Sequence, residues 1–140
     1  MKKIIFILLL GTLFSCSKDD KYDFGKYPQK WLLIKMSGQV ANSETTGTEM
    51  DWQELYLLNS NGTFAKHRER DGVHSEALGT FSVIDQSDGK FLELVYDTNS
   101  EIIGSCYGNH TESLWLKSDI KLMGTWSSCD GPGLEYERVE

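Results

Sequence analysis

Apolar residues occur along this chain in short runs that are separated by polar and turn-forming residues. No run has the length and the three-to-four-residue spacing of an amphipathic helix. In one run Ala77, Gly79, Phe81 and Val83 recur at every second position, which is the period at which strand residues share one face. The pattern predicts eight or nine strands, over residues 31–38, 52–59, 63–70, 73–85, 90–97, 102–107, 113–117, 121–127 and 134–139.

The connections between these runs favour hairpins. Ser60-Asn61-Gly62 and Asp71-Gly72 are typical of tight turns between antiparallel strands, and residues 86–89 form a third turn signal. Consecutive hairpins give an antiparallel meander, and closing that meander removes its exposed edges. We therefore predict an all-β fold, an antiparallel up-and-down β-barrel of about eight to nine strands, with a two-sheet β-sandwich as the alternative.

The N-terminus has the layout of a secretory signal peptide. Lys2 and Lys3 precede an apolar stretch, IIFILLL, that is too short to cross a bilayer. The stretch ends at Leu13-Phe14-Ser15-Cys16, which resembles the lipobox of bacterial lipoproteins. The resemblance implies removal of residues 1–15, acylation of Cys16 with palmitate or a similar chain, and a lipidated polar tether over residues 16–29.

The residues after the cysteine, Ser17-Lys18-Asp19-Asp20, resemble the export signal of Bacteroidota lipoproteins. The resemblance implies that the protein is anchored in the outer membrane and, beyond that, that it is exposed on the cell surface. Loss of Lys2 and Lys3 would take the formal net charge from −7 to −9. So acidic a chain is a poor partner for nucleic acid, which is bound through clustered Lys and Arg, and we expect membrane attachment through the anchor alone.

Two cysteines remain in residues 30–140, which we interpret as one domain. An even pair in an exported domain predicts a disulfide between Cys106 and Cys129, with two buried free thiols as the alternative.

The strand spacing and a tryptophan opening the first strand, Gln29-Lys30-Trp31, resemble the lipocalin-like lipoproteins of Bacteroidota, which are small exported barrels. The resemblance covers residues 30–140. It implies non-catalytic binding of a small hydrophobic or anionic ligand inside the barrel.

The hairpin at Asp71-Gly72 sets a register in which Arg70 faces Val73. His67 then lies opposite Glu76 and Glu69 opposite His74, all on one face. Imidazoles and carboxylates so placed are candidates for a zinc site or, as a third hypothesis, an enzyme. Two cross-strand charge pairs on a solvated face are the favoured interpretation. We therefore expect no metal and no cofactor.

The opposite face of that hairpin is the candidate ligand site. Its small residues leave room beneath two cations, which suits an anionic group in a mostly apolar cavity. The candidate ligand-binding residues are Phe64, Lys66, Arg68, Phe81, Val83 and Leu94. The alternative without a ligand site is that the tip of this hairpin protrudes into solvent and that Lys66 and Arg68 are simply solvated.

Four tryptophans complete the candidates. Trp31 and Trp126 are expected to pack in the core, whereas Trp52 and Trp115 could be partly exposed. An exposed aromatic patch near either, together with a filled barrel, would instead indicate a structural or protein-interaction module of a surface complex. The sequence contains no nucleophile elbow, no His-Glu-x-x-His and no phosphate-binding glycine loop, so we do not expect an enzyme.

Overall fold

The computed structural model describes residues 24–140. The predicted signal peptide, Cys16 and the first part of the tether lie outside the described residues. Within residues 24–140 nine strands form: β1 (Gln29–Ser37), β2 (Thr45–Thr46), β3 (Gln53–Leu58), β4 (Thr63–Arg70), β5 (Val73–Gln86), β6 (Gly89–Tyr96), β7 (Thr111–Ser118), β8 (Lys121–Gly124) and β9 (Gly133–Val139). Two short 3₁₀ helices, Gly47–Glu49 and Trp126–Cys129, interrupt the connections.

The strands form one antiparallel sheet that closes on itself. Their order is β2-β1-β3-β4-β5-β6-β7-β8-β9, and β1 also pairs with β9, from Lys30 opposite Val139 to Ser37 opposite Gly133. The result is a closed eight-stranded barrel, with β2 as a short extra strand beside β1. The predicted up-and-down barrel is confirmed.

The turn residues explain why the hairpins close where they do. Gly62 has φ of 81°, and Asp71 and Gly72 have φ of 53° and 77°. These left-handed values are those that a two-residue hairpin turn requires and that Gly and Asp tolerate best. Arg70 accordingly pairs with Val73, so the predicted register of this hairpin is confirmed.

Two predicted strands differ from the structure. Residues 102–107 belong to a loop instead of a strand. Ile102 is almost fully buried, Tyr107 is exposed, and Cys106 forms a disulfide with Cys129 in another connection. The base of the loop is closed by the Tyr96 amide donating to the His110 carbonyl at 2.7 Å. The predicted strand 121–127 ends at Gly124, and the chain continues into the second 3₁₀ helix.

In an up-and-down barrel, successive connections lie at alternate ends. One end, here called the N-terminal end, carries residues 24–28 and the turns 59–62, 87–88 and 119–120. Phe24 packs against Trp31, and Tyr27 against Phe81, so the last residues of the predicted polar tether cover this end. The other end, here called the loop end, carries the connections 38–52, 71–72, 97–110 and 125–132.

Large side chains fill the middle of the barrel. Those that are almost fully buried include Trp31, Leu33, Tyr56, Leu58, Phe64, Lys66, Leu92, Leu94, Ile102, Leu114, Leu122 and Tyr136. No helix within residues 24–140 is long and apolar enough to cross a membrane.

Candidate functional site

The centre of the barrel contains two carboxylates and two cations. Glu54 comes from β3, Lys66 and Arg68 from β4, and Glu112 from β7. Each occupies an inward position in phase with apolar neighbours on its own strand, since side chains alternate along a strand. The formal charges of the four side chains sum to zero.

Lys66 lies between the two carboxylates. Its Nζ is 3.2 Å from Glu54 Oε1, and 3.2 Å and 3.1 Å from Glu112 Oε1 and Oε2. The same Nζ is 4.9 Å from the centroid of the Tyr56 ring. The side chain has no exposed surface, so these contacts replace all of the water that the ammonium group loses.

Arg68 links this interior to the loop end. It is opposite Glu54 in the β3–β4 register, and its Nε donates to Glu54 Oε2 at 2.5 Å. Its Nη2 donates to the Ile102 carbonyl at 3.2 Å, and the guanidinium carbon lies 4.3 Å from the centroid of the Trp52 ring. Arg68 therefore holds the 97–110 loop against the barrel.

Three tyrosines complete the hydrogen bonding of the carboxylates. Tyr56 donates to Glu112 Oε1 at 2.9 Å, Tyr96 donates to Glu112 Oε2, and Tyr136 donates to Glu54 Oε1 at 2.5 Å. Burial, and then the neighbouring carboxylate charges, raise the pKa of each of the three phenols well above its usual range. The phenols thus stay protonated and act as donors.

A cavity of about 300 Å³ opens beside this network at the loop end. We call it the rim cavity; its lining residues are Arg68, Arg70, Asp71, Val73, Ser75, Glu101 and Ile102. Arg70 has 58% of its side chain exposed, and its nearest carboxylate oxygen, on Asp71, is 3.9 Å from Nε. The guanidinium charge of Arg70 is therefore less fully neutralised by ion pairs than the charges of Lys66 and Arg68.

The surroundings of the rim cavity are acidic. The four connections at the loop end carry seven carboxylates, and within these described connections there is no lysine or arginine. The acidic residues are Glu44, Glu49, Asp51, Asp71, Asp97, Glu101 and Asp130. Two basic residues of the neighbouring strands contact them: Arg70, the last residue of β4, lies beside Asp71, and Lys35 Nζ of β1 is 3.4 Å from Glu44 Oε1.

The predicted ligand-binding residues fall into two groups. Phe64, Lys66, Arg68 and Leu94 are buried in the barrel, and Phe81 is half-buried beneath Tyr27. Val83 is 37% exposed, because β5 continues beyond Thr80, the last residue that pairs with β4. Of this set, Arg68 lines the rim cavity. Ligand binding by these residues stays a prediction.

The histidines of the β4–β5 hairpin lie as the register predicted. His67 is opposite Glu76 and Glu69 opposite His74, and His67 Nδ1 is 3.4 Å from Glu76 Oε2. Both members of the His67–Glu76 pair are exposed. Among the described residues no group of three or more His, Cys, Asp and Glu side chains is arranged to hold a metal ion.

The expected partial exposure is confirmed for Trp115, which is 36% exposed, and is wrong for Trp52. Trp52 is only 7% exposed beneath Arg68 and Arg70, whose guanidinium carbons lie 4.3 Å and 5.5 Å from its centroid. Trp115 is stacked on Phe91, and Lys117 Nζ lies 3.4 Å from its centroid. Trp31 and Trp126 pack in or against the core as predicted.

The predicted disulfide between Cys106 and Cys129 is confirmed. It joins the 97–110 loop to the second 3₁₀ helix, so two loop-end connections form one covalently closed cover.

Sequence reasoning identified the cations but missed their partners. Glu54 stands two residues before Tyr56, and Glu112 two residues before Leu114, so each lies in phase with buried residues. Both carboxylates lie in phase with the apolar face of their strand, and another inward face of the chain carries cations. This combination is the signal that could have identified Glu54 and Glu112 as buried partners of Lys66 and Arg68.

Comparisons of this chain with protein-family models, with curated proteins and with solved structures find no match.

Proposed function

We propose that this chain is a lipid-anchored cell-envelope protein that binds, without catalysis, a small ligand bearing an anionic group at the rim cavity. The observation that carries the proposal is a concave space of about 300 Å³ beside a weakly paired arginine. That volume is at the lower end of those found for small-molecule sites.

The occupied interior favours the rim over the barrel centre as the ligand site. Lys66 is already neutralised by two carboxylates within 3.2 Å, and fully buried side chains surround it. An apolar ligand at the centre would have to separate these charges or leave them unpaired, which is costly in a medium without water. Arg70 needs no such rearrangement, because its side chain is already exposed.

Arg68 is expected to support the structure of the rim cavity instead of binding the ligand, because two of its guanidinium nitrogens are already hydrogen-bonded. Its Nε and Nη2 are engaged by Glu54 and by the Ile102 carbonyl, so it fixes the floor of the rim cavity. Arg70 then supplies the charge-assisted hydrogen bonds to the ligand, which are the strongest that a side chain offers to a carboxylate.

Native mass spectrometry of the full chain, purified from its own host, tests the binding proposal. We expect a retained small molecule of defined mass that carries an acidic group. Its loss in Arg70→Gln and its retention in Lys30→Gln, an exposed cation on the outer face of β1, would assign it to the rim. A clean apo mass of the wild type would contradict the proposal.

The anchor is supported by sequence alone, through the resemblance of Leu13–Cys16 to a lipobox and of residues 30–140 to the Bacteroidota lipocalin-like lipoproteins. We propose attachment to the outer membrane through acylated Cys16. Radiolabelled palmitate should label the wild type and not Cys16→Ala. Labelling of both would contradict this attachment site.

A structural or protein-interaction module is the second candidate, and the outer wall of the barrel favours it. Leu57, Ala65 and Leu78 are directly opposite one another on β3, β4 and β5, and Leu57 and Leu78 are exposed. Together with the filled interior, this apolar row suits a protein partner. A clean apo mass, with cross-linking lost in Leu78→Asp and kept in Thr80→Asp, would support this candidate.

A further inference from the structure

We propose that the ligand of the rim cavity is a zwitterion of the α-amino acid class, with a small aliphatic side chain. The inference rests on the proposed function and adds the second charge and the apolar group. It has three supports: the opposite charges that line the cavity, the acidic connections around it, and its aliphatic wall.

The cavity presents one available cation and two available carboxylates. Arg70 is the exposed cation, and Glu101 is an exposed carboxylate that forms no ion pair among the described residues. Asp71, a second carboxylate, is also exposed and only loosely associated with Arg70. A ligand with a carboxylate and an ammonium group can pair with both Arg70 and Glu101, whereas a simple carboxylate leaves Glu101 unused.

The loop end as a whole disfavours a purely anionic ligand. Seven carboxylates stand in its connections, and their field is negative around the opening of the rim cavity. A simple carboxylate would approach Arg70 against that field. A zwitterion carries no net charge, and its ammonium group is attracted by the same carboxylates that repel its carboxylate.

The remaining lining selects the side chain. The exposed side chain of Val73 forms most of the aliphatic wall, because Ile102 is only 1% exposed, and the hydroxyl group of Ser75, which is opposite Arg68 in the register, adds one further polar group. Ile102 is fixed because Arg68 binds its carbonyl. A cavity of about 300 Å³ with such a wall suits a branched aliphatic side chain such as that of leucine.

Calorimetric titration of the full chain with three matched probes tests the inference. L-Leucine carries both charges, 4-methylpentanoate lacks the ammonium group, and 3-methylbutylamine lacks the carboxylate. We expect L-leucine to bind at least about tenfold more tightly than either, because each missing group forfeits a charge-assisted hydrogen bond.

Two variants locate the charges. Glu101→Gln should reduce the preference for L-leucine over 4-methylpentanoate, while Asp71 and the acidic connections still attract the ammonium group, and Arg70→Gln should abolish binding of both. Lys30→Gln, on the outer face of β1, should change neither. Circular dichroism of each variant verifies that the barrel is folded.

The outcomes separate the two proposals. Equal wild-type affinity for L-leucine and 4-methylpentanoate would overturn the zwitterion and leave binding of an anionic group standing. Failure of all three probes would also overturn the inference, and the mass of the retained molecule would then decide the proposed function alone. A preference for L-leucine that Glu101→Gln leaves undiminished would overturn the role of Glu101.

Discussion

Lys66 occupies an environment that lysine side chains rarely tolerate. Its ammonium group is completely buried, and an isolated charge there would cost many times the stability of a small domain. Glu54 and Glu112 offset that cost by direct pairing, and the phenols of Tyr56, Tyr96 and Tyr136 occupy the remaining carboxylate lone pairs. Each buried charge of the cluster therefore depends on a partner of opposite charge.

Replacing Lys66 by Met should destabilise the protein by about 3–5 kcal/mol, because the buried Glu112 would then lose its cation, while Glu54 keeps only Arg68. Adding Glu112→Gln to Lys66→Met should recover part of the loss, since Glu54 and Arg68 would remain as a balanced pair. Urea unfolding of the single and double variants measures both effects.

Lys30→Met is the matched control for that series, because Lys30 is exposed on the outer face of β1 and its loss should change stability by less than about 0.5 kcal/mol. Equal stability of Lys66→Met and the wild type would refute the argument that the carboxylates depend on this cation.

At the scale of single elements, β4 and β5 could be predicted almost residue by residue. Asp71-Gly72 fixes the turn, and the turn fixes every pair beyond it. The 97–110 loop could not be predicted, because Ile102 and Ile103 give the same short apolar signal as a strand. The 97–110 segment covers the loop end only because of tertiary contacts, namely the burial of Ile102 and the disulfide from Cys106 to Cys129.

Removing the disulfide with Cys106→Ser and Cys129→Ser together should cost about 3 kcal/mol, from the entropy of the loop that the bond closes. The two cysteines are 23 residues apart. Hydrogen exchange should speed up first in residues 97–110, while β4 and β5, which are hydrogen-bonded on both sides, keep their protection.

Uniform acceleration of exchange across the barrel, or none, would show that the bond does not act through this cover. Tyr107→Phe, a neighbouring change at an exposed position that keeps the disulfide, serves as the control and should leave exchange in the loop unchanged.

At the scale of the whole molecule, the buried phenols couple stability to alkaline pH. Burial and the carboxylates raise the pKa of Tyr56, Tyr96 and Tyr136, so the unfolded chain releases these protons at lower pH than the folded one. Stability that is complete below the unfolded value of about 10 is therefore lost as the pH rises above it.

We expect the free energy of unfolding to fall above pH 10 by up to about 1.4 kcal/mol per pH unit for each of the three tyrosines. Tyrosinate absorbance should therefore rise together with the loss of far-ultraviolet circular dichroism. Tyr136→Phe should reduce this slope, whereas Tyr107→Phe, at an exposed position, should not. Full tyrosinate absorbance in a protein that retains its dichroism would contradict the prediction.

The barrel as a fold could be predicted from strand count and turns, but the composition of its interior could not. A period-two pattern tells which side chains share a face, and it placed Lys66 and Arg68 with Phe64. It does not tell that Glu112, on a strand far along the chain, meets Lys66 across the barrel. That contact depends on closure, which local patterns do not encode.

Closure of the ring also sets the order in which the chain can fold. All other strand pairs of the barrel join barrel strands that are successive in the chain. The exception is the pair β1–β9, in which Lys30 is opposite Val139. The hairpins can form locally, but this one seam requires nearly the entire polypeptide, and such non-local pairings are the slow ones. The ring cannot close before β9 is available to pair with β1, so we expect closing of this seam to be a late folding step.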